Sequence, residues 1–298
     1  MTPVRYNAAM ARKVGERNPN EQVLAHKTQV REVTSSSNAL LKLFRRALAD
    51  GVTREGWLAV EGPRSIEEAL KACESGSALT IHSVLVSRGG VARFEAMLAQ
   101  LPPETEIAQV ADRLFQNAAQ TQTPQGIAAL VELPQPDLQR ILAHDNPLLL
   151  VACGLQDPGN LGAIMRSAEA LGATALVTLR ATVSPFNPKT MRSCAGSVFR
   201  LPVFPGQDPG TLFERLRGAR VTIVATDRHS ASGLAQADLR GSLALLVGNE
   251  ASGLAPELAA EATLRLCIPI RPGTDSVNVA AAAAIFLYEA ARQREFRY

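Results

Sequence analysis

The C-terminal half of the chain alternates short, almost wholly apolar runs with segments of helical periodicity. The apolar runs predict strands at Leu148–Cys153, Ala175–Leu179, Leu201–Phe204, Val221–Thr226, Leu243–Val247 and Leu264–Ile270. Helices are predicted at Leu161–Leu171, Pro188–Val198, Leu212–Gly218, Pro256–Glu261 and Val277–Arg292. Strands without a polar face are typical of a parallel sheet covered by helices on both sides. The sequence therefore predicts an α/β domain built on a mostly parallel sheet.

A smaller α/β region precedes this domain. It is predicted to contain strands at 57–61, 81–86 and 128–133, and helices that begin after Ser35–Ser37, at Ser65 and at Val91. We expect the serine hydroxyls to cap the first two helices. Pro134-Gln-Pro136 reads as a linker. The expected organisation is a flexible leader over residues 1–33, a small domain over 34–135 and a larger domain over 136–298.

Positive charge is concentrated near the start of the chain. Residues 1–56 contain ten Lys or Arg and five acidic residues, a net charge of +5, whereas the other 21 basic and 23 acidic residues give −2. A basic leader on a nearly neutral body suits contact with a phosphate backbone. An ordinary solvated surface accounts for the same charge equally well, so charge alone does not assign a function.

Several protein classes are disfavoured by what the sequence lacks. No apolar run approaches the roughly 20 residues of a membrane helix, and no apolar stretch follows the N-terminal basic residues as in a secretory signal. The four cysteines have no Cys-x-x-Cys spacing, which indicates a cytoplasmic protein without disulfides or structural zinc. No Gly-x-Gly-x-x-Gly or Walker sequence is present, which disfavours dinucleotide-binding and P-loop enzymes.

Three polar segments follow predicted strands, where open α/β sheets place their ligands. They are Asp157–Arg166, Leu245–Leu254 and Ile268–Val279. Asn160 and Ser276 are expected to cap the helices that follow them. Arg166 has a plain alternative as a surface arginine paired with Glu169. The remaining polar residues fit either a capping turn or a binding site.

A fourth segment, Asn187–Arg200, is rich in basic and hydroxyl side chains. Lys189, Arg192 and Arg200 are candidate phosphate-binding residues. The alternative for this segment is an ordinary basic helix on the protein surface.

In this order, the segments resemble the SpoU branch of the SPOUT RNA methyltransferases over residues 147–293. Residues 55–132 also resemble the ribosomal-protein-like substrate-binding domain of many members, through Val60–Arg64 and Thr123–Gly126. The resemblance implies a deep trefoil knot, a homodimer with composite active sites and S-adenosylmethionine as methyl donor, with no metal. Arg64 joins the residues expected to contact RNA.

The resemblance also implies roles for single residues. Those expected to hold the donor are Thr226, Gly248, Ile268 and Val277, and those expected to act in catalysis are Asn160, Arg166, Glu250, Ser276 and Asn278. A guanidinium stays protonated in proteins. We therefore expect Arg166 to hold a phosphate and stabilise the developing alkoxide charge, with the proton acceptor left open. Ala280 and the charged loop Arg271–Asp275 depart from the usual family pattern, which affects substrate contacts more than methyl transfer.

The predicted function is transfer of a methyl group to a ribose 2′-hydroxyl of RNA. The separate N-terminal domain favours 23S ribosomal RNA over transfer RNA, because transfer-RNA members more often use short terminal helices. Two alternatives remain: a non-catalytic RNA-binding or ribosome assembly factor with the same fold, and an unrelated α/β nucleotide-binding enzyme.

Overall fold

The computed structural model describes residues 30–297, which form two α/β domains connected by a segment at 133–137. The strands are β1 (Val30–Val33), β2 (Leu58–Glu61), β3 (Thr80–Ser87), β4 (Glu106–Val110), β5 (Ile127–Glu132), β6 (Leu148–Ala152), β7 (Ala175–Leu179), β8 (Val203–Gln207), β9 (Thr222–Thr226), β10 (Leu243–Val247) and β11 (Leu264–Leu266). The helices are α1 (Ala39–Asp50), α2 (Pro63–Glu74), α3 (Arg88–Arg93), α4 (Glu95–Leu98), α5 (Asp112–Ala118), α6 (Leu138–Leu142), α7 (Pro158–Ala170), α8 (Pro188–Ser193), α9 (Pro209–Gly218), α10 (Pro256–Ala260) and α11 (Val279–Gln293). Short 3-10 helices lie at Ser197–Phe199 and Leu234–Gln236.

The C-terminal sheet has the order β11-β9-β10-β6-β7-β8, and all of its neighbouring strands are parallel. Successive residues of a strand point to opposite faces of the sheet. Leu148 and Leu150 of β6 accordingly pack in one apolar cluster, and Leu149 and Val151 pack in another. The predicted parallel sheet covered on both faces is thereby confirmed. The passage of the chain through a knot stays a prediction.

Helices on both faces of this sheet bury their apolar sides against it. α9 contributes Leu212, Phe213 and Leu216 to one face, whereas α7 and α11 pack on the other. α7 lies close to α8 because Gly162 has no side chain, and a Cβ there would come within 2.5 Å of the Ser193 Cβ. Within residues 30–297, no helix has the length and apolar character needed to span a membrane.

The N-terminal sheet is mixed, with the order β1-β4-β3-β5-β2. β1, β4 and β3 are parallel, and β5 pairs antiparallel with both β3 and β2. The sequence did not predict β1 or β4, which both contain several polar residues. β1 lies inside the predicted leader, so the sheet begins before residue 34. The rest of that leader, residues 1–29, lies outside the described residues.

Several predicted element boundaries and two predicted helix caps are wrong. The predicted helix from Val91 is instead the pair α3 and α4, and the strand predicted over Leu264–Ile270 ends at Leu266. The predicted helix Pro188–Val198 stops at Ser193, and the predicted strand Leu201–Phe204 is shifted to β8. Asn38, not the preceding serines, caps α1, because its Oδ1 accepts the amide protons of Leu40 and Leu41. α2 begins at Pro63, whose fixed φ suits a first helical turn, so Ser65 does not cap it.

The two domains contact each other directly. One apolar cluster contains buried residues of both domains, including Leu58 and Ile66 on one side and Met191 and Phe199 on the other. At Gly51, where φ is 89°, a Cβ would lie 1.9 Å from the carbonyl oxygen of Phe186. The contact therefore requires glycine at this position.

Candidate active site

Four adjacent strands of the C-terminal sheet, β11, β9, β10 and β6, end at the same edge. A cavity of about 310 Å³ opens there, among residues that follow three of these strands and residues at the start of α11. Thr226, Gly248, Glu250, Ile268, Ser276 and Val277, all predicted from the sequence, line it. The carboxyl edge of a parallel sheet is the usual ligand site of open α/β folds. The structure thus brings together in one cavity six residues that are up to 51 positions apart in the sequence.

Glu250 connects the segment after β10 with the segment after β6. Its Oε1 accepts hydrogen bonds from the Asp157 amide (3.1 Å) and the Asn160 Nδ2 (3.2 Å). Its Oε2 accepts from the Gln156 amide and the Asn249 Nδ2, each at 3.3 Å. Burial raises the pKa of Glu250, but the hydrogen bonds outweigh it, so the pKa lies below its usual value. The carboxylate is therefore ionised near neutral pH, and both of its oxygens accept hydrogen bonds from these four donors.

Asn160 and Asn278 extend this contact to the third segment. The Asn278 Nδ2 donates to the Asn160 Oδ1 at 3.1 Å, and the Asn278 Oδ1 accepts from the Ala280 amide at 2.8 Å. Asn278 is thus the N-cap of α11, and the prediction that Ser276 caps this helix is wrong. Glu250, Asn160 and Asn278 form one continuous hydrogen-bonded chain that joins all three segments.

The cap of α7 also differs from the prediction. Asp157 caps the helix, because its Oδ1 accepts the Gly159 amide proton, and helix formation starts at Pro158. Asn160 already lies in the first turn of the helix, which leaves its amide available to Glu250. A sequence pattern of several consecutive capping residues does not distinguish between these two arrangements.

Arg166 lies on α7, six residues beyond Asn160, and is exposed. It has no hydrogen bond or ion pair with any residue within 30–297. The alternative of a surface arginine paired with Glu169 is wrong, because Glu169 binds Arg200 instead. An exposed guanidinium without a protein partner, on the same helix as Asn160, is available to an anionic ligand.

The cavity wall combines backbone, apolar and polar groups. Gly248 must be glycine, because a Cβ would lie 2.3–2.5 Å from backbone atoms of Gly253 and Leu254. Phe286 of α11 supplies an apolar surface, and the Thr226 hydroxyl donates to the Leu246 carbonyl at 3.0 Å. Ligand pockets are typically mostly apolar with a few placed polar groups. The volume and the mixed lining fit a nucleoside-sized cofactor such as S-adenosylmethionine.

The four predicted RNA-binding residues are not equally available. The Lys189 Nζ lies 3.1 Å from the Asp157 Oδ1, at the start of α7. Arg64 and Arg192 are exposed and have no hydrogen-bond or ion-pair partner within the described part of the chain. The guanidinium of Arg200 is instead held by Glu169 and Glu68. RNA contact by these residues stays a prediction.

Sequence reasoning missed the structural contribution of Asn249. Its Nδ2 donates to the Gly154 carbonyl at 2.9 Å, and its Oδ1 accepts the amide protons of Ala251 and Ser252. This side chain shapes the loop after β10 and ties it to the segment after β6. The available signal is the Gly-Asn-Glu sequence at a strand end, in which Asn249 directly precedes Glu250.

The buried cysteine Cys153 is not a nucleophile. All four cysteines are unpaired, and burial raises the pKa of the Cys153 thiol to about 12. The Cys153 thiol therefore stays protonated near neutral pH. Within the described residues, no cluster of three or more His, Cys, Asp or Glu side chains is placed to hold a metal ion.

A parallel sheet with a cofactor-sized cavity at its carboxyl edge is typical of α/β enzymes. Residues 147–288 match the SpoU rRNA Methylase family, and residues 51–129 match the MRM3-like substrate binding domain. A 23S rRNA (uridine(2479)-2′-O)-methyltransferase of Streptomyces viridochromogenes is 31% identical, over 96% of this chain and 97% of its own length. The chain belongs to the SpoU rRNA methylase family.

Other relatives agree over most of the chain. The 23S rRNA (guanosine(2553)-2′-O)-methyltransferase RlmP of Bacillus subtilis is 31% identical, over 87% of this chain and 98% of its own length. Among solved structures, the SpoU methyltransferase AviRb of Streptomyces viridochromogenes in complex with AdoMet superposes with a TM-score of 0.76 at 29% identity. That superposition covers 87% of this chain and 98% of the other. The likeness therefore extends over both domains.

Proposed function

We propose that this protein transfers a methyl group from S-adenosylmethionine to a ribose 2′-hydroxyl of 23S ribosomal RNA. The observation that carries the proposal is the hydrogen-bonded chain Glu250–Asn160–Asn278, which joins the three family segments at the cavity that Glu250 lines. Relatives that match nearly the whole chain are named 23S rRNA 2′-O-methyltransferases, which supports the same chemistry and substrate.

The donor is assigned to the cavity at the carboxyl edge of the sheet. The backbone at Gly248, Ile268 and Val277 and the side chain of Thr226 would hold it. S-adenosylmethionine supplies an activated methyl group on a sulfonium, so the reaction needs little further activation at that carbon. The protein must align the ribose oxygen with that methyl group.

Arg166 is assigned to the RNA. Its exposed guanidinium is suited to bind the phosphate beside the target ribose and to stabilise the negative charge that develops on the 2′-oxygen. Asn160 and Asn278, which are hydrogen-bonded to each other, and the cavity residue Ser276 would orient the ribose. Glu250 holds Asn160 in place, and its four hydrogen-bond donors and lowered pKa make it a weak proton acceptor.

The N-terminal domain is assigned to RNA binding through Arg64, and Lys189 and Arg192 on α8 of the C-terminal domain would add further contacts to the RNA. Transfer RNA is the alternative substrate, and a non-catalytic assembly factor is the alternative function. The intact set Asn160, Arg166 and Asn278 favours catalysis over the latter. An enzyme that modifies ribosomal RNA is expected in the cytoplasm.

Two features of the family are proposed for this chain as well, a trefoil knot and a homodimer with composite active sites. The apolar side chains Ile285 (39% exposed) and Tyr288 (52% exposed) on α11 support a dimer through this helix. We expect Ile285→Glu to yield a monomer in light scattering, whereas an unchanged dimer would place the interface elsewhere.

The function is tested by transfer of radiolabelled methyl from S-adenosylmethionine to total bacterial RNA, followed by nucleoside analysis. The proposal predicts a labelled 2′-O-methylnucleoside in 23S ribosomal RNA. Label in transfer RNA would retain the chemistry and overturn the substrate. Absence of both label and donor binding would favour the non-catalytic alternative.

A further inference from the structure

Arg200 occupies the junction between the two domains. It follows the 3-10 helix at Ser197–Phe199 in the C-terminal domain, and its Nη1 donates to the Glu68 Oε2 of α2, in the N-terminal domain, at 2.8 Å. Its Nε and Nη2 donate to the two carboxylate oxygens of Glu169 on α7. One guanidinium therefore joins a helix of the N-terminal domain to the helix that carries Asn160 and Arg166.

The partners of Arg200 are themselves fixed. The Ser197 hydroxyl donates to the Glu169 Oε2 at 2.8 Å, and the Lys71 Nζ donates to the Glu68 Oε1 at 2.9 Å. The side chains of Glu68 and Glu169 are each only 26% exposed, and that of Arg200 is 33% exposed. Partial burial strengthens charge-assisted hydrogen bonds relative to a fully exposed ion pair. The three side chains thus form a defined junction between the domains.

The backbone at the junction is adapted to this arrangement. Gly196 has a φ of 87°, and a Cβ there would come within 2.6 Å of the Glu68 Cβ. A side chain at this position would displace Glu68 from Arg200. The Ser77 hydroxyl also donates to the Phe199 carbonyl at 3.4 Å, a second polar contact between the domains.

The apolar contact and the ion pairs have different consequences for domain orientation. Apolar burial between the domains is non-directional, so by itself it does not select one orientation. A planar guanidinium bound to two carboxylates fixes direction as well as distance. Glu169 lies on α7 three residues after Arg166, so an error in domain orientation would displace RNA held by the N-terminal domain relative to Arg166.

We propose that Arg200 is a positioning residue that sets the orientation of the N-terminal domain on α7, so that RNA bound by this domain presents its ribose to Arg166. This inference depends on the proposed RNA methyltransferase function. It replaces the direct phosphate contact predicted for Arg200 from the sequence. The bond that sets the domain orientation is the one from Arg200 to Glu68, because Glu169 lies in the same domain as Arg200.

The test uses full-length Glu68→Gln, which weakens the interdomain bond and leaves the Arg200–Glu169 pair intact. Steady-state methylation of an unmodified 23S rRNA transcript is expected to show an about fivefold lower kcat, with the RNA KM and the affinity for S-adenosylmethionine within about twofold of wild type. Glu32→Gln is the matched control, because Glu32 also accepts one 2.8 Å bond from an arginine, Arg88, within the N-terminal domain. We expect this control to behave as wild type.

Arg200→Met should lower kcat further, and Arg200→Lys should recover part of the loss, since one ammonium group does not reproduce the fork of the guanidinium. A wild-type kcat for Glu68→Gln, or a loss confined to donor affinity, would overturn the inference. Limited proteolysis at 133–137 separates this failure from failure of the proposed function. Faster cleavage of Glu68→Gln than of wild type is expected even if no RNA is methylated, and equal cleavage would contradict the junction.

Discussion

The two domains use different sheets, and the difference explains where the chemistry lies. In the C-terminal sheet all six strands are parallel, so their carboxyl ends lie at one edge. In the N-terminal sheet β5 alone runs opposite to the other four strands, so strand ends of both kinds occur at each edge. A parallel sheet collects the polar residues that follow its strands, whereas a mixed sheet distributes them between two edges.

The distribution of polar groups follows this difference. At the C-terminal edge, Asn160, Glu250 and Asn278 come from three distant segments and form one hydrogen-bonded chain. In the N-terminal domain, His82 stacks on Trp57 near the start of β3, whereas Asp112 accepts the Gly89 amide beyond the end of the same strand. The first arrangement converges on a cavity, and the second presents separate surfaces. This contrast supports catalysis in one domain and substrate binding in the other.

The largest expected effect on methyl transfer is that of Arg166→Ala. We expect methyl transfer to fall by about 10²–10³-fold, the typical effect of removing one group that stabilises transition-state charge. The affinity for S-adenosylmethionine should stay unchanged, because Arg166 does not line the cavity. Radiolabel transfer and calorimetric titration measure the two quantities. Arg215→Ala, a change at an exposed arginine on α9, is the control, and equal loss of transfer and donor binding in Arg166→Ala would contradict its assignment to the RNA.

Gly248→Ala tests the donor side of the same edge. The added methyl group would lie 2.3–2.5 Å from the backbone of Gly253 and Leu254, so the loop after β10 must shift. We expect at least a tenfold loss of donor affinity and a destabilisation of about 1–3 kcal/mol, as for other overpacked sites. Gly218→Ala is the matched control, because nothing lies within 4 Å of a Cβ there. If Gly248→Ala bound the donor as tightly as wild type, the assignment of the donor to this cavity would be contradicted.

Two substitutions of Asn278 distinguish its role as the cap of α11 from its contact with Asn160. Asn278→Ala should lower the free energy of unfolding by about 1 kcal/mol through loss of the cap on α11. Asn278→Asp retains an oxygen for the Ala280 amide but has no amide donor for the Asn160 Oδ1. The aspartate variant should therefore keep most of the stability and still lose transfer. Full activity of Asn278→Asp would show that the link to Asn160 is dispensable.

The smallest expected effect is a pH dependence of the free energy of unfolding, which arises from the ionisation of Glu250. Its pKa in the folded protein is below the ordinary value of 4.5, so the ionised form stabilises the folded state. This contribution is complete above about pH 4.5 and is lost as the pH falls towards the folded pKa. Denaturant unfolding of wild type and Glu250→Gln should show a constant difference above about pH 5 that shrinks at lower pH. A difference that shrinks between about pH 7 and pH 5 would contradict the lowered pKa.

The sequence was most informative where burial alone determines structure. β7 and β10 have the predicted bounds, because five consecutive buried residues, all apolar except Thr178, leave few alternatives. β1 and β4 were missed because each contains two polar residues among its apolar ones, which resembles loop sequence. Val30-Arg-Glu-Val33 is an example, with only Val33 buried.

Six residues that line the cavity were predictable from the sequence, but the local contacts of the polar residues around it were not. The three segments were recognised because each mixes glycine with polar residues after a strand. Which residue caps a helix depends on distant partners, since Asn160 is engaged by Glu250, 90 positions along the chain. The role of Arg200 depends in the same way on Glu68, 132 positions away, and no local pattern contains that information.

We expect the cavity at the carboxyl edge to hold the methyl donor beside Asn160 and Arg166. A crystal structure of the protein with S-adenosylmethionine tests it directly. We expect the donor among Thr226, Gly248 and Ile268, with its methyl group directed towards the face of α7 that carries Arg166. A donor bound outside this cavity, or with its methyl group directed away from α7, would contradict the claim.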